Sequence, residues 1–90
     1  MKKALVSVTG ADSVGIIAKV STALYEMNVN IMDISQTILS GCFTMLMIVD
    51  ITETEKSFTD ITKDLEQLGT QIGVMITVQR MDIFDVMHRI

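Results

Sequence analysis

Ninety residues give room for one domain, and a domain of this size hides only about 60–65% of its unfolded surface, so self-association is expected to help it. Apolar residues make up 49% of the chain and aromatics 4%, which leaves Ile, Val, Leu and the eight Met to build the core. A net charge of −4, with the seven Lys and Arg scattered along the chain, argues against nucleic acid and an anionic membrane as partners, because phosphate binding needs clustered cations.

Lys3 to Thr9 sets Ala4, Val6 and Val8 against Leu5, Ser7 and Thr9, the period of a strand. Gly10 stops it, and Asp12 or Ser13 is expected to cap the first helix. From Val14, apolar residues recur at Ile17, Val20, Leu24 and Met27, which is the helical period, and Asn28 ends the helix. Ile31 to Leu39 reads as a second strand and Cys42 to Ile51 as a third. Ser40-Gly41 between them is a two-residue turn, so the pair is a hairpin. A polar loop, Thr52 to Lys56, leads to Ser57-Phe58-Thr59-Asp60, a capping box with Asp for Glu. Phe58, Ile61, Leu65 and Leu68 come next at helical spacing, and Gly69 is placed as the C-terminal stop. Ile72 to Arg80 alternates again as the fourth strand. Residues 1–80 form the domain. In the tail, 81–90, Met81, Phe84, Met87 and Ile90 stand near helical spacing, and they are expected to fold back on the sheet or on a partner subunit.

The order βαββαβ implies an α+β, ferredoxin-like domain: a four-stranded antiparallel sheet with both helices on one face. The first and third strands take the centre and the second and fourth the edges. The third strand is apolar on both sides, with Phe43, Met45, Met47 and Val49 on one and Cys42, Leu46 and Ile48 on the other. The sheet face away from the helices is therefore expected to be covered, which points to a homodimer or a higher homo-oligomer.

Three common uses of this fold do not fit. A metal carrier needs paired thiols in the first loop. Here that loop is Gly10-Ala11-Asp12-Ser13, and the single Cys42 reads as a small buried residue. An RNA-binding sheet needs aromatics on its first and third strands, and only Phe43 is present there. A phosphate-cleaving site of the acylphosphatase kind needs an Arg in the first loop, which is absent. Asp50, Glu53 and Glu55 have no metal-loop spacing and read as a solvated loop. His88 has no Cys or second His near it in the sequence. No nucleophile–base pair stands out, so no enzyme activity and no cofactor are expected. The lone Cys fits a reducing cytoplasm. Neither a signal peptide nor an apolar run of about eighteen residues is visible, so no membrane partner is expected.

What remains is a polar notch, expected where the loop after the first strand meets the start of the second. The first amides of the helix, Val14 to Ile17, lack intrahelical partners and carry the positive end of the dipole, a seat for a carboxylate. Gly15 leaves that backbone approachable. Asp12 suits an ammonium group, and Asn30 offers a donor and an acceptor. A free amino acid matches this pattern. Cap and turn chemistry alone also accounts for the same residues.

Thr9-Gly10-Ala11-Asp12-Ser13-Val14-Gly15-Ile16-Ile17-Ala18 and Asn28-Val29-Asn30-Ile31 resemble the corresponding stretches of ACT domains, small regulatory modules of biosynthetic enzymes. The order of elements matches over nearly the whole chain. Asn30-Ile31-Met32-Asp33-Ile34-Ser35-Gln36-Thr37, together with Phe43-Thr44-Met45, is similar to short stand-alone bacterial proteins with one ACT domain. The chain also looks related to the tandem-ACT repressors of glycine cleavage. The resemblance implies an amino-acid site at Gly10, Asp12, Gly15 and Asn30, in many family members shared between two subunits; with the helix amides and the start of the second strand, the expected site residues are Gly10, Asp12, Val14, Gly15, Ile16, Asn30 and Ile31. It also implies a regulated partner protein. One departure is Val14, where the family commonly has a Pro that preorganises the loop. Many ACT domains serve only as oligomerisation units, and that reading stays open.

Overall fold

The structure is a computed structural model and describes residues 2–81. It contains β1 (Lys3–Ala11), α1 (Ile16–Glu26), β2 (Asn30–Leu39), β3 (Cys42–Asp50), α2 (Phe58–Ile72) and β4 (Val74–Arg80). The strands lie in the order β2-β3-β1-β4, with every neighbouring pair antiparallel. The ferredoxin-like arrangement is thus present, with β1 and β3 central. The tail from 82 onward lies outside the described residues.

Alternation on the strands decides the core. Val6 and Val8 of β1, Phe43, Met45, Met47 and Val49 of β3, and Val74 and Ile76 of β4 are buried on one side of the sheet. Ile16, Val20 and Leu24 of α1 and Ile61, Leu65 and Gly69 of α2 close over them. No side chain among the buried residues is polar or charged, so this core is held by apolar burial and packing.

The other sheet face is mixed. On β3, Leu46 is exposed and Ile48 half-buried, with Thr44 between Leu46 and Cys42. By register their neighbours include Ser7, Ser35 and Thr37. Cys42 is exposed, against the expectation of a buried residue. It opens β3 beside the hairpin turn, on the face that no helix covers. The turn itself is as expected: Ser40 and Gly41 both have positive φ, 52° and 78°, the backbone that suits a two-residue hairpin.

Two glycines depart from the roles their sequence positions suggest. Gly69 does not end α2, which runs on to Ile72 and is closed by Gly73 at φ 81°. Gly69 is where α2 presses on β4, since a Cβ there would stand 2.6 Å from the Val74 carbonyl oxygen. Gly10 does not end β1 either. It pairs with Phe43 and Val74 inside the sheet, and a Cβ there would lie 2.9 Å from Val74 Cγ1. Its missing side chain is explained by packing. At Ser57 the expectation holds: its Oγ accepts from the Asp60 amide at 3.1 Å, capping α2.

Candidate functional site

The loop between β1 and α1 is anchored at its first residue. The Asp12 amide donates to the Gly41 carbonyl at 2.9 Å, tying the loop to the β2–β3 hairpin. Asp12 and Ser13 are exposed, and Val14 is 99% exposed. The helix begins two residues later than the periodicity suggests. Its N-cap is Gly15, at φ 89° in the left-handed region, and no side chain caps it. Neither Asp12 nor Ser13 performs that role, because the left-handed turn at Gly15 intervenes between them and the first helical turn.

The free amides consequently shift along the chain. Lys19 makes the first intrahelical bond, to the Gly15 carbonyl at 2.9 Å. The amides of Ile16, Ile17 and Ala18 precede it and have no intrahelical acceptor. The first turn holds no acidic side chain, so the positive end of the helix dipole is not met from within α1. The Ile16 side chain is buried in the core and only its backbone is available to a ligand. Ile31 packs against the same core but is only half-buried, so part of its side chain stays accessible.

Asn30 is elsewhere. It pairs with Asp50, whereas Ala11, at the mouth of the loop, pairs with Cys42. Eight residues of β3 separate those positions, about 27 Å at ~3.4 Å per residue. Both β1 and β2 run antiparallel to β3, so the end of β1 and the start of β2 lie at opposite ends of the sheet. A single chain therefore brings Gly10, Asp12, Val14, Gly15 and Ile16 together and leaves Asn30 and Ile31 apart from them. The notch expected from sequence is not formed within one copy.

Asn30 lines a groove of about 170 Å³ with Tyr25, Asn28, Val29, Asp50 and Glu53. Asn28, at φ 61°, donates through Nδ2 to the Glu53 carbonyl at 3.1 Å. Thr54 Oγ1 donates to the Met27 carbonyl at 2.6 Å, fixing the 51–56 loop against the end of α1. The Thr52 hydroxyl and amide both donate to Asp50 Oδ1. The hydroxyl contact first, and then the amide, hold the Asp50 carboxyl below its ordinary range, so it is ionised beside Asn30. Sequence reasoning does not place Asp50, Glu53 and Tyr25 beside Asn30. The signal is nonetheless present: a two-residue turn pairing Leu39 with Cys42 forces the start of β2 onto the end of β3.

The family model for the ACT domain matches residues 2–79. The chain belongs to the ACT domain family. A UPF0237 protein of Bifidobacterium longum is 53% identical over 90 residues, the full length of both chains. Among solved structures, an ACT domain protein from Streptococcus pneumoniae superposes with a TM-score of 0.83 at 38% identity, covering 92% of this chain and 93% of that one. A putative glycine cleavage system transcriptional repressor shares the fold, with a TM-score of 0.73 at 24% identity over 88% of this chain and 45% of that one. ACT domains are regulatory modules and often bind amino acids. No helix among the described residues of this ACT domain is long and apolar enough to cross a membrane.

Proposed function

We propose that this ACT domain binds a small amino acid at a site shared between two copies, and passes that signal to a regulated partner protein. One observation carries the reading: the loop at Asp12 and the residue Asn30 lie at opposite ends of a free edge strand. When two such edges pair antiparallel about their middle, Asn30 of one copy comes opposite Leu39 of the other. The partner loop at Asp12 is bonded to that same hairpin through Gly41. Antiparallel pairing therefore brings to the same end of one continuous sheet the two halves that one chain keeps at opposite ends, about 14 Å apart at ~4.8 Å per strand and within reach of the Asp12 loop, and does so twice by symmetry.

The edge favours such pairing. β2 is ten residues long and has a strand neighbour on one side alone among the described residues, so its outer edge lacks a strand partner, although the Ile34 amide donates to Asp33 Oδ1 beside a bulge between Ile31 and Asp33. Ile34 and Ile38 share a sheet side with Met47 and Phe43, yet they are 41% and 54% exposed. In the proposed site the ligand carboxylate meets the amides of Ile16, Ile17 and Ala18. Its ammonium group is oriented by Asp12 of the same copy and Asn30 of the other, with the ionised Asp50 behind Asn30. Calorimetry against the twenty amino acids tests this. Saturable binding of one small amino acid below millimolar concentration is expected, together with a rise in melting temperature that follows RT ln(1 + [L]/Kd).

A second reading is a ligand-free interaction module. It is favoured by Gly10 and Gly15, each of which has a packing or conformational reason to be glycine without any ligand. No amino acid binding, with self-association retained, selects it.

A further inference from the structure

The cations that look scattered in sequence do not stay scattered. Lys2, Lys3, Lys56 and Arg80, four of the seven Lys and Arg, line one cavity with Ile51, Thr52, Thr54, Ser57 and Phe58. The cavity measures about 310 Å³, room for a small organic anion. We propose that this cavity is a second ligand site, for a small soluble phosphate monoester.

The walls are fixed by the backbone. Lys2 is stitched to the loop opposite it: its amide donates to Thr52 Oγ1 at 2.9 Å, and its carbonyl accepts from the Ile51 amide at 2.8 Å. Arg80 ends β4 beside Ala4, and its guanidinium rests over the Phe58 ring, 4.9 Å from the centroid. That stacking orients the planar fork and leaves its N–H groups for an oxyanion.

Carboxylates nearby decide which cations are available. Lys56 is held by Asp64 at 2.8 Å, with Asp60 also raising its pKa from further off. Lys3 stands across the sheet from Asp50. Lys2, Lys3 and Arg80 have no carboxylate within ion-pair reach among the described residues; with Asp50 across from Lys3, Lys2 and Arg80 are the principal anion contacts of the site. The N-terminus of α2, 15 residues long, also opens here, but Asp60 in its first turn already meets the dipole. The cations therefore carry the attraction. Ser57 supplies a hydroxyl proton, its Oγ being engaged only as an acceptor from Asp60, whereas Thr52 and Thr54 already donate to Asp50 and to the Met27 carbonyl; Ile51 with Phe58 offers apolar surface. A bare phosphate would use the charge and leave the apolar wall unfilled, whereas a monoester uses both.

The test is a titration of full-length, 15N-labelled protein with glycerol 3-phosphate and adenosine monophosphate, monitored by amide shifts. Inorganic phosphate, adenosine, and chloride at matched ionic strength are the controls. Saturable shifts are expected at Lys3, Thr52, Ser57, Phe58 and Arg80 with at least one of the esters, and no saturation with adenosine or chloride. Arg80→Gln and Lys2→Gln should each weaken binding at least tenfold, while Lys63→Gln, outside the cavity, leaves it unchanged. Lys2 is exposed near the chain start, so its variant reports on binding even where Arg80→Gln alters folding through Phe58. Several results would overturn the site: inorganic phosphate binding as tightly as the esters, shifts that chloride reproduces, or equal losses in Lys63→Gln. Tighter binding to phosphatidic acid vesicles than to glycerol 3-phosphate would overturn the assignment to a soluble ester.

Discussion

Gly15 is the residue on which the loop turns. A Cβ there would meet nothing closer than Lys19 Cε at 3.8 Å, so space is not the constraint. The constraint is φ 89°, which places any other L residue in the left-handed region at a cost of about 1–2 kcal/mol. Gly15→Val is thus expected to lower stability by at least that amount, since a β-branched residue is the poorest occupant, while Gly15→Asn loses less. Urea unfolding of the two variants measures the difference. A loss of ligand binding in Gly15→Val would therefore not separate contact from strain. Asp50 offers a cleaner single-residue test. Its carboxyl is lowered chiefly by the Thr52 hydroxyl, so Thr52→Val should raise its pKa toward 3.8, the ordinary value, in an NMR titration. A carboxyl with a depressed folded pKa contributes stability above its unfolded pKa, and that contribution is lost as pH falls through the folded value. Thr52→Val should therefore flatten the acid side of the stability profile below about pH 4.

At the scale of elements, the contact of α2 with β4 is set by one missing side chain. Gly69→Ala would gain about 1 kcal/mol of helix propensity. It also forces a methyl group against the Val74 backbone, and overpacking of that kind costs about 1–3 kcal/mol. The second effect should win, because the obstructing atom is a backbone oxygen, 2.6 Å away, with no rotamer to escape into. A lower urea midpoint for Gly69→Ala is the expected result. The edge strand β2 is the other element with a decisive role. Ile34 and Ile38 keep access to water in one copy, so Ile34→Lys and Ile38→Lys should leave the monomer folded. Buried between two copies, the same charges lack partners and oppose association. Sedimentation should show the wild type as a dimer or larger, and the Lys variants shifted toward a 10.0 kDa species.

For the whole molecule, the proposed site has a signature that no single-chain site shares. Asp12→Ala damages every site through the loop, and Asn30→Ala damages every site through the other copy. In a mixed dimer of the two variants, one site carries both losses and the other carries neither. Mixing the two variants after unfolding and refolding should restore binding to a fraction of the sites, read by calorimetric stoichiometry. A site confined to one chain would show no rescue, because each chain would still carry its own lesion.

The fold was legible in the sequence because its elements are written in local patterns. Period two over Lys3–Thr9, the helical spacing of Phe58, Ile61, Leu65 and Leu68, and the Ser40-Gly41 turn each report short-range geometry that neighbouring residues enforce. The order βαββαβ then leaves few topologies open. Element ends were less legible. Asp12, Ser13 and Gly69 each have an ordinary local meaning as cap or stop; the left-handed turn at Gly15 displaced the first two from the cap, and the Val74 backbone pressed on Gly69 gave the third a packing role. Placing Asn30 required strand direction and register, which are long-range facts. The gathering of Lys2, Lys3, Lys56 and Arg80 was beyond sequence altogether, since they come from three separate stretches of chain that meet only when the start of β1, the end of β4 and the loop before α2 come to one end of the sheet. Sequence by itself determined the elements and their order. Tertiary structure alone decided which residues share a site, because charge and hydrogen bonding act across space, where separation along the chain no longer measures distance.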